Sequence, residues 1–240
     1  MHDRQVVSIN RKAVRIGCLL SLAVTLLIHA EAQNSDTRSE LWQEVDIHVP
    51  INEKIRLIFS VSTTGVRTSK SNLAGQVGAY IDYTVNRRLV LRSGYRYGFS
   101  LGESDPSREH RLILDQTFRQ SAPVKVLLSD RNREEFRFIN GSYSFRYRNR
   151  LTVEREFRFM GRSLTPYAAA EVFHDSRFDL WNRNRLTAGV QIHLKRSAPL
   201  LKLIYPRRRV VLDFYYTRQN DIRSEPHHIN ALGVTFGFYF

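Results

Sequence analysis

The chain has 240 residues, with 37 Lys or Arg against 23 Asp or Glu, a formal charge of +14 and a single cysteine. One cysteine excludes a disulfide framework, and Cys18 precedes the predicted mature chain, so a cysteine nucleophile or thiolate metal site is excluded there too. The positive charge suits nucleic acid, an anionic membrane surface or acidic solutes.

The first predicted element is an export signal. Arg4, Arg11, Lys12 and Arg15 form a basic region, Ile16 to Ile28 is mostly apolar, and Ala30-Glu31-Ala32 fits the small-x-small cleavage rule. The apolar run falls short of the roughly 20 residues that span a bilayer as a helix. Cleavage is expected after Ala32, which leaves residues 33–240 as the mature chain. A retained amphipathic anchor is the lesser reading. Cys18 lies before most of the apolar run instead of at the cleavage point, so no lipidation is expected. Export argues against nucleic acid as a partner. No linker, low-complexity tract or repeat divides the mature chain, and one domain is expected.

Beyond the signal no segment has helical periodicity, and alternation recurs in short runs between turn signals. Leu41–Val49 opens the series. Ile55, Leu57, Phe59 and Val61 alternate with Lys54, Arg56 and Ser60. Val77, Ala79, Ile81, Tyr83 and Val85 alternate with Gln76, Gly78, Asp82 and Thr84, and Leu89, Leu91, Tyr95, Tyr97 and Phe99 with Arg92, Gly94, Arg96 and Gly98. Weaker candidates follow at Glu109–Arg119, Val124–Phe138, Tyr143–Glu156 and Thr165–His174. Leu186, Ala188, Val190, Ile192 and Leu194 alternate with Arg185, Thr187, Gly189, Gln191 and His193, and Val210, Leu212, Phe214 and Tyr216 with Asp213 and Thr217. Leu232, Val234, Phe236, Phe238 and Phe240 end the chain, with Gly233, Thr235, Gly237 and Tyr239 between them.

These segments number eleven. A closed bacterial barrel with both ends in the periplasm has an even number of strands, so ten or twelve are expected. Pro50–Glu53, Asn86–Arg87 and Gly161–Ser163 read as tight turns. Thr63–Asn72, Gly102–Ser107, Asp175–Trp181 and Gln219–Pro226 read as longer polar loops. Lys195–Arg209 is long where a tight turn is expected. A soluble lipocalin-like barrel also alternates, with its apolar face inward. Glycines on the polar face, aromatics near strand ends and a terminal aromatic favour the membrane barrel.

Several stretches carry a family likeness: Leu41-Trp42, Ser129-Asp130-Arg131-Asn132-Arg133, Glu135-Phe136-Arg137-Phe138, Arg146-Tyr147-Arg148-Asn149-Arg150-Leu151, Thr165-Pro166-Tyr167 with Glu171, and Asn182-Arg183-Asn184-Arg185-Leu186 with Ala188-Gly189. Together they resemble the uncharacterised outer-membrane β-barrel proteins catalogued as domain of unknown function 2490. The resemblance implies a barrel in the outer membrane and supplies no reaction or ligand. Lys195–Arg209 departs from it.

Arginine at a spacing of two is the main chemical feature. Arg146, Arg148 and Arg150 point one way. Arg131, Arg133 and Arg137 share a parity with Glu135, and Arg183 and Arg185 repeat the spacing. A charge on the lipid face near the midplane costs about 2–4 kcal/mol, so these residues, with Glu171, are expected to line the lumen. Two outcomes stay open. One is an electropositive, anion-favouring pore. The other is a lumen filled by ladders between arginine and Glu135, Glu154, Glu171, Asp82, Asp115 or Asp213.

A catalytic site would need base, nucleophile and carboxylate at one rim. His174-Asp175 and His227-His228, with Ser176 and Ser224 nearby, are the only material for one, and no catalytic residue is assigned. Adjacent histidines on a strand face opposite ways, so no metal is expected, and no cofactor. Two readings stay open for Arg67, Lys70, Arg108 and Arg223: contact with lipopolysaccharide phosphates, or ordinary solvated loop tips.

The sequence thus predicts an all-β chain, a transmembrane antiparallel barrel in the outer membrane of a Gram-negative bacterium. Its function is non-enzymatic, as a narrow pore or a structural envelope protein. The expected partners are outer-membrane lipids and lipopolysaccharide, the barrel-assembly machinery through Phe240, and a small anionic solute if the lumen conducts. The alternative is a lipid- or envelope-modifying enzyme, and a soluble periplasmic barrel for an apolar ligand ranks third.

Overall fold

The computed structural model describes residues 37–65, 73–101, 106–159, 161–194, 209–223 and 225–240. The export signal expected over residues 1–32, Arg67, Lys70, Ser224 and the 195–208 part of the long connection lie outside the described residues. The strands are β1 (Thr37–Pro50), β2 (Ile55–Gly65), β3 (Leu73–Thr84), β4 (Leu89–Leu101), β5 (Arg108–Ala122), β6 (Val126–Ile139), β7 (Ser142–Arg155), β8 (Phe157–Phe159), β9 (Arg162–Asp175), β10 (Leu180–Leu194), β11 (Arg209–Asp221) and β12 (His228–Tyr239).

Apart from β8, each strand pairs with the next along the chain, β7 pairing with β9, and β12 returns to β1, so the sheet closes on itself. Closure leaves no unpaired edge in the wall. The three residues of β8 pair only with the start of β9, at Phe157↔Leu164 and Phe159↔Arg162, and extend β7 beyond the wall. The wall itself therefore has eleven strands. All eleven segments counted from alternation are present, and the adjustment to an even number is corrected. An odd wall closes only if its first and last strands run parallel. That is the case here, from Thr37↔His228 to His48↔Tyr239. The start of β1 and the end of β12 consequently lie at opposite rims, contrary to the premise behind the even count.

Parallel closure preserves the two faces. Leu41, Val45 and Ile47 sit beside Leu232, Phe236 and Phe238 on the outward face, whereas Trp42, Asp46 and His48 sit beside Gly233, Gly237 and Tyr239 inside. A one-residue slip would turn every apolar side chain inward, so the pattern fixes the register. Val77, Ile81, Leu112, Leu151, Leu186 and Phe236 are exposed outward, while Ile58, Tyr80 and Ile113 form a buried apolar cluster inside the wall.

Three luminal tyrosines lie over glycines directly opposite them on the next strand: Tyr80 on Gly94, Tyr167 on Gly189 and Tyr215 on Gly233. A Cβ on any of these glycines would come within 2.2, 2.7 or 2.0 Å of the ring. Glycine on the polar face thus makes room for an aromatic ring lying flat against the wall.

One rim carries the connections at 51–54, 85–88 and 123–125 together with Phe240, and is called the turn rim. Asn52 and Asn86 each accept two backbone N–H bonds there, closing their turns in the same way. The other, or loop rim, carries 140–141, 176–179 and 222–227. Asn140 and Gly141, with φ of 48° and 85°, make a two-residue hairpin there. This turn is tight where the alternation of short and long connections calls for a long one.

Candidate functional site

Seven strands, β4 to β7 and β9 to β11, aim guanidinium and carboxylate groups into one side of the lumen. Inward orientation follows from parity. On β6, Arg131, Arg133, Glu135 and Arg137 alternate with outward Asn132, Glu134, Phe136 and Phe138. On β7, Arg146, Arg148 and Arg150 alternate with outward Tyr147, Asn149 and Leu151. Glu171 on β9 and Arg183 and Arg185 on β10 stand on the same inward face.

Glu135 is the hub and is 0 % exposed. It accepts a 2.8 Å bond from Arg148 and a 3.5 Å bond from Arg111, with Arg133 and Arg146 each at 3.9 Å. Glu171 accepts from Arg148 at 2.8 Å and Arg131 at 2.8 Å, with Arg185 at 3.7 Å. Asp175 accepts from Arg146 at 2.8 Å and Arg137 at 3.2 Å. In the turn above, hydrogen bonding to Asp175 holds the Arg177 guanidinium above its ordinary range. Asp115 takes Arg133 in a bidentate pair at 2.6 and 2.7 Å. Arg183 pairs with Asp221, and Arg185 donates to Gln219 at 2.6 Å.

Phe173, 1 % exposed, lies within this network. The guanidiniums of Arg148, Arg185 and Arg183 stand 4.6, 5.2 and 5.6 Å from its ring centre, and Arg185 also covers Trp42 at 4.7 Å. Ring faces attract cations that carboxylates alone do not surround. Sequence reasoning left Phe173, Trp42, Arg111, Glu109 and Asp175 out of the site. The available signal was parity: Phe173 stands between Glu171 and Asp175 on one face of β9, and Trp42 shares a face with Glu40 and Glu44.

Of the six carboxylates named as ladder partners, Glu135, Glu171, Asp82 and Asp115 take arginines. Asp213 instead accepts the Tyr167 hydroxyl at 3.1 Å, and Glu154 has no ion pair among the described residues. Arg150 likewise makes no hydrogen bond or ion pair among them. Arg146 and Arg148, by contrast, are fully engaged. The histidine candidates do not converge. His174 packs outward on Trp181 while Asp175 points inward, and Ser176 accepts the Phe145 N–H. His227 contacts the Asp221 carbonyl and His228 the Asn220 side chain.

What this arrangement does chemically is cross-link the wall from within. The pairs bridge β5 to β6, β6 to β7 and to β9, and β10 to β11. Arg133 grips both oxygens of Asp115, and Arg148 joins Glu135 and Glu171 while its flat face stacks on Phe173.

A closed β-wall, apolar outside and ion-paired inside, defines a transmembrane β-barrel. Within that class the chain belongs to the family described as Protein of unknown function (DUF2490), whose model matches residues 39–227. Among solved structures it is similar to the crystal structure of the beta domain of the Bordetella autotransporter Brka, at 13% sequence identity and a TM-score of 0.43, over 80% of this chain and 84% of that chain. No curated protein matches it.

Proposed function

We propose that this protein is a non-enzymatic barrel of the bacterial outer membrane whose lumen is closed by its arginine–carboxylate network, a structural component of the envelope and not a standing channel. The observation that carries the reading is Glu135: a carboxylate with no exposed surface and four guanidiniums within 3.9 Å leaves no free ring of positive charge to select anions. Guanidiniums stacked on Phe173 fill the same cross-section. The export signal, the apolar outward face and the terminal Phe240 support placement in the outer membrane, with the turn rim in the periplasm, where barrels keep their short connections. Outer-membrane lipids, lipopolysaccharide and the barrel-assembly machinery are the partners this reading requires.

The test is conductance of the purified full-length barrel in planar bilayers. No steady channel is expected from the unmodified protein. A stable chloride-preferring conductance would replace the closed barrel with the pore, and hydrolysis or deacylation of lipid by the pure protein would replace it with an enzyme. Sequencing of the mature N-terminus should read from Gln33.

A further inference from the structure

On β1 to β4 the outward positions carry no charged side chain; Val45, Phe59, Val61, Val77, Ile81 and Leu91 are typical. The rule fails on β6 at mid-height, beside a polar Asn149 on β7. Asn132 stands at the middle of β6 and pairs with Asn149, and Asp130 and Glu134 flank it on the same outward face. Asn149 Nδ2 donates to Asp130 at 2.7 Å and to Asn132 at 3.1 Å, and the Tyr147 hydroxyl donates to Asn132 at 2.5 Å. These bonds order the patch without neutralising it. Among the described residues no cation pairs with Asp130 or Glu134. A carboxylate facing hydrocarbon midway across a membrane has neither water nor counter-charge, which is unfavourable.

A second polar patch faces outward on β10 to β12, and it carries the opposite sign. Arg218 is exposed and has no ion pair among the described residues. Around it Asn220 donates to Asn184 at 2.8 Å, and the Tyr216 hydroxyl donates to Asn230 at 2.8 Å. Between the two patches the wall is hollowed. A concavity of about 530 Å³ is floored by Ala168, Ala170 and Ala188 and bounded by Leu151 on one side and Arg218 on the other.

We propose that the barrel forms a two-fold homodimer in the membrane through the outward face of β6 to β11, with Glu134 of each copy meeting Arg218 of the partner subunit. The proposal rests on the reading that the wall spans a membrane. A two-fold axis along the membrane normal, passing through the alanine hollow, sets the β6–β7 patch of one copy against the β11 patch of the other, twice. Such a rotation preserves height, and Glu134 and Arg218 both stand in the loop-rim half of their strands. Small side chains at the axis let the two walls approach closely, as they do where membrane segments pack. An anionic lipid in the hollow would answer Arg218 but would add like charge beside Asp130 and Glu134. A second copy answers both patches.

The wall contains no cysteine, so engineered thiols report the contact. Two differently tagged full-length copies, one Glu134→Cys and one Arg218→Cys, are expressed together and oxidised in native outer membranes. A disulfide joining the two tags is expected, and none when Val77→Cys replaces Glu134→Cys. In nanodiscs the unmodified protein should scatter as a dimer. Arg218→Glu should scatter as a monomer that still shows heat-modifiable migration, the sign of a folded barrel. A monomeric unmodified protein with no inter-tag disulfide overturns the dimer. So does cross-linking to a different protein alone, or stoichiometric lipopolysaccharide retained by a monomer. Recovery of the unmodified protein in the soluble fraction would defeat the membrane reading itself, whereas a membrane-embedded, heat-modifiable barrel without the cross-link defeats the dimer alone.

Discussion

Arg133 holds Asp115 with two parallel hydrogen bonds, 2.6 Å from Nε and 2.7 Å from Nη2, across the seam between β5 and β6 inside the barrel. Both residues are buried, at 6 % and 4 % exposure. Removing either partner leaves an uncompensated buried charge, which typically costs about 3–5 kcal/mol. Asp115→Asn should lower stability by that order in urea unfolding from lipid vesicles. The double change Asp115→Leu with Arg133→Met should cost clearly less. An equal or larger loss in the double variant would contradict a pair that holds its own charges in check.

Glu135→Gln removes the hub of the network. Arg111 and Arg148 lose a charged acceptor, and Arg133 and Arg146 lose a counter-charge at 3.9 Å. The four guanidiniums then repel with only their outer carboxylates, Glu171, Asp175, Asp115 and Glu109, to offset it, and destabilisation of about 3–5 kcal/mol is expected. The midpoint of heat-modifiable migration should fall by several degrees. A midpoint unchanged from that of the unmodified barrel would mean the network contributes nothing to closure.

Gly233→Val tests the ring-on-glycine contact. A Cβ at position 233 would fall 2.0 Å from the Tyr215 ring, so the ring must leave the wall. Overpacking of this kind costs about 1–3 kcal/mol. Adding Tyr215→Ala should recover part of the loss, and unfolding curves of the two variants read the recovery directly.

Val190→Arg tests the outward face. Val190 lies between Pro166 and Phe214, its register neighbours, and opposite in parity to the luminal Gly189 and Gln191. An arginine there faces hydrocarbon and should cost about 2–4 kcal/mol of folding stability in vesicles. Full tolerance would mean that β10 is assigned inside out.

Deletion of Phe240 should slow membrane assembly in a pulse-chase experiment without changing the stability of the assembled barrel. The Phe240 N–H bonds the His48 carbonyl at 3.0 Å at the turn rim, outside the paired register of β12. Wild-type assembly kinetics would remove the terminal aromatic as a recognition signal.

The sequence by itself determined the strands, their faces and the luminal position of the arginines. Period two is a local property: Arg146, Arg148 and Arg150 share a face whatever else the chain does, and burial of that face follows from what lipid rejects. Three things lay beyond it. The wall closes on eleven strands because β1 runs parallel to β12, a relation between residues nearly two hundred positions apart. The ion pairs join side chains by proximity in three dimensions, so Asp175 takes Arg137 and Arg146 while Glu154, equally inward, takes no arginine among the described residues. The opposed outward patches around Asp130 and Arg218 gain meaning only once curvature sets them on either side of one hollow. Alternation records which face a residue occupies. Closure, pairing and curvature are set by the circumference of the whole sheet, which no single segment encodes.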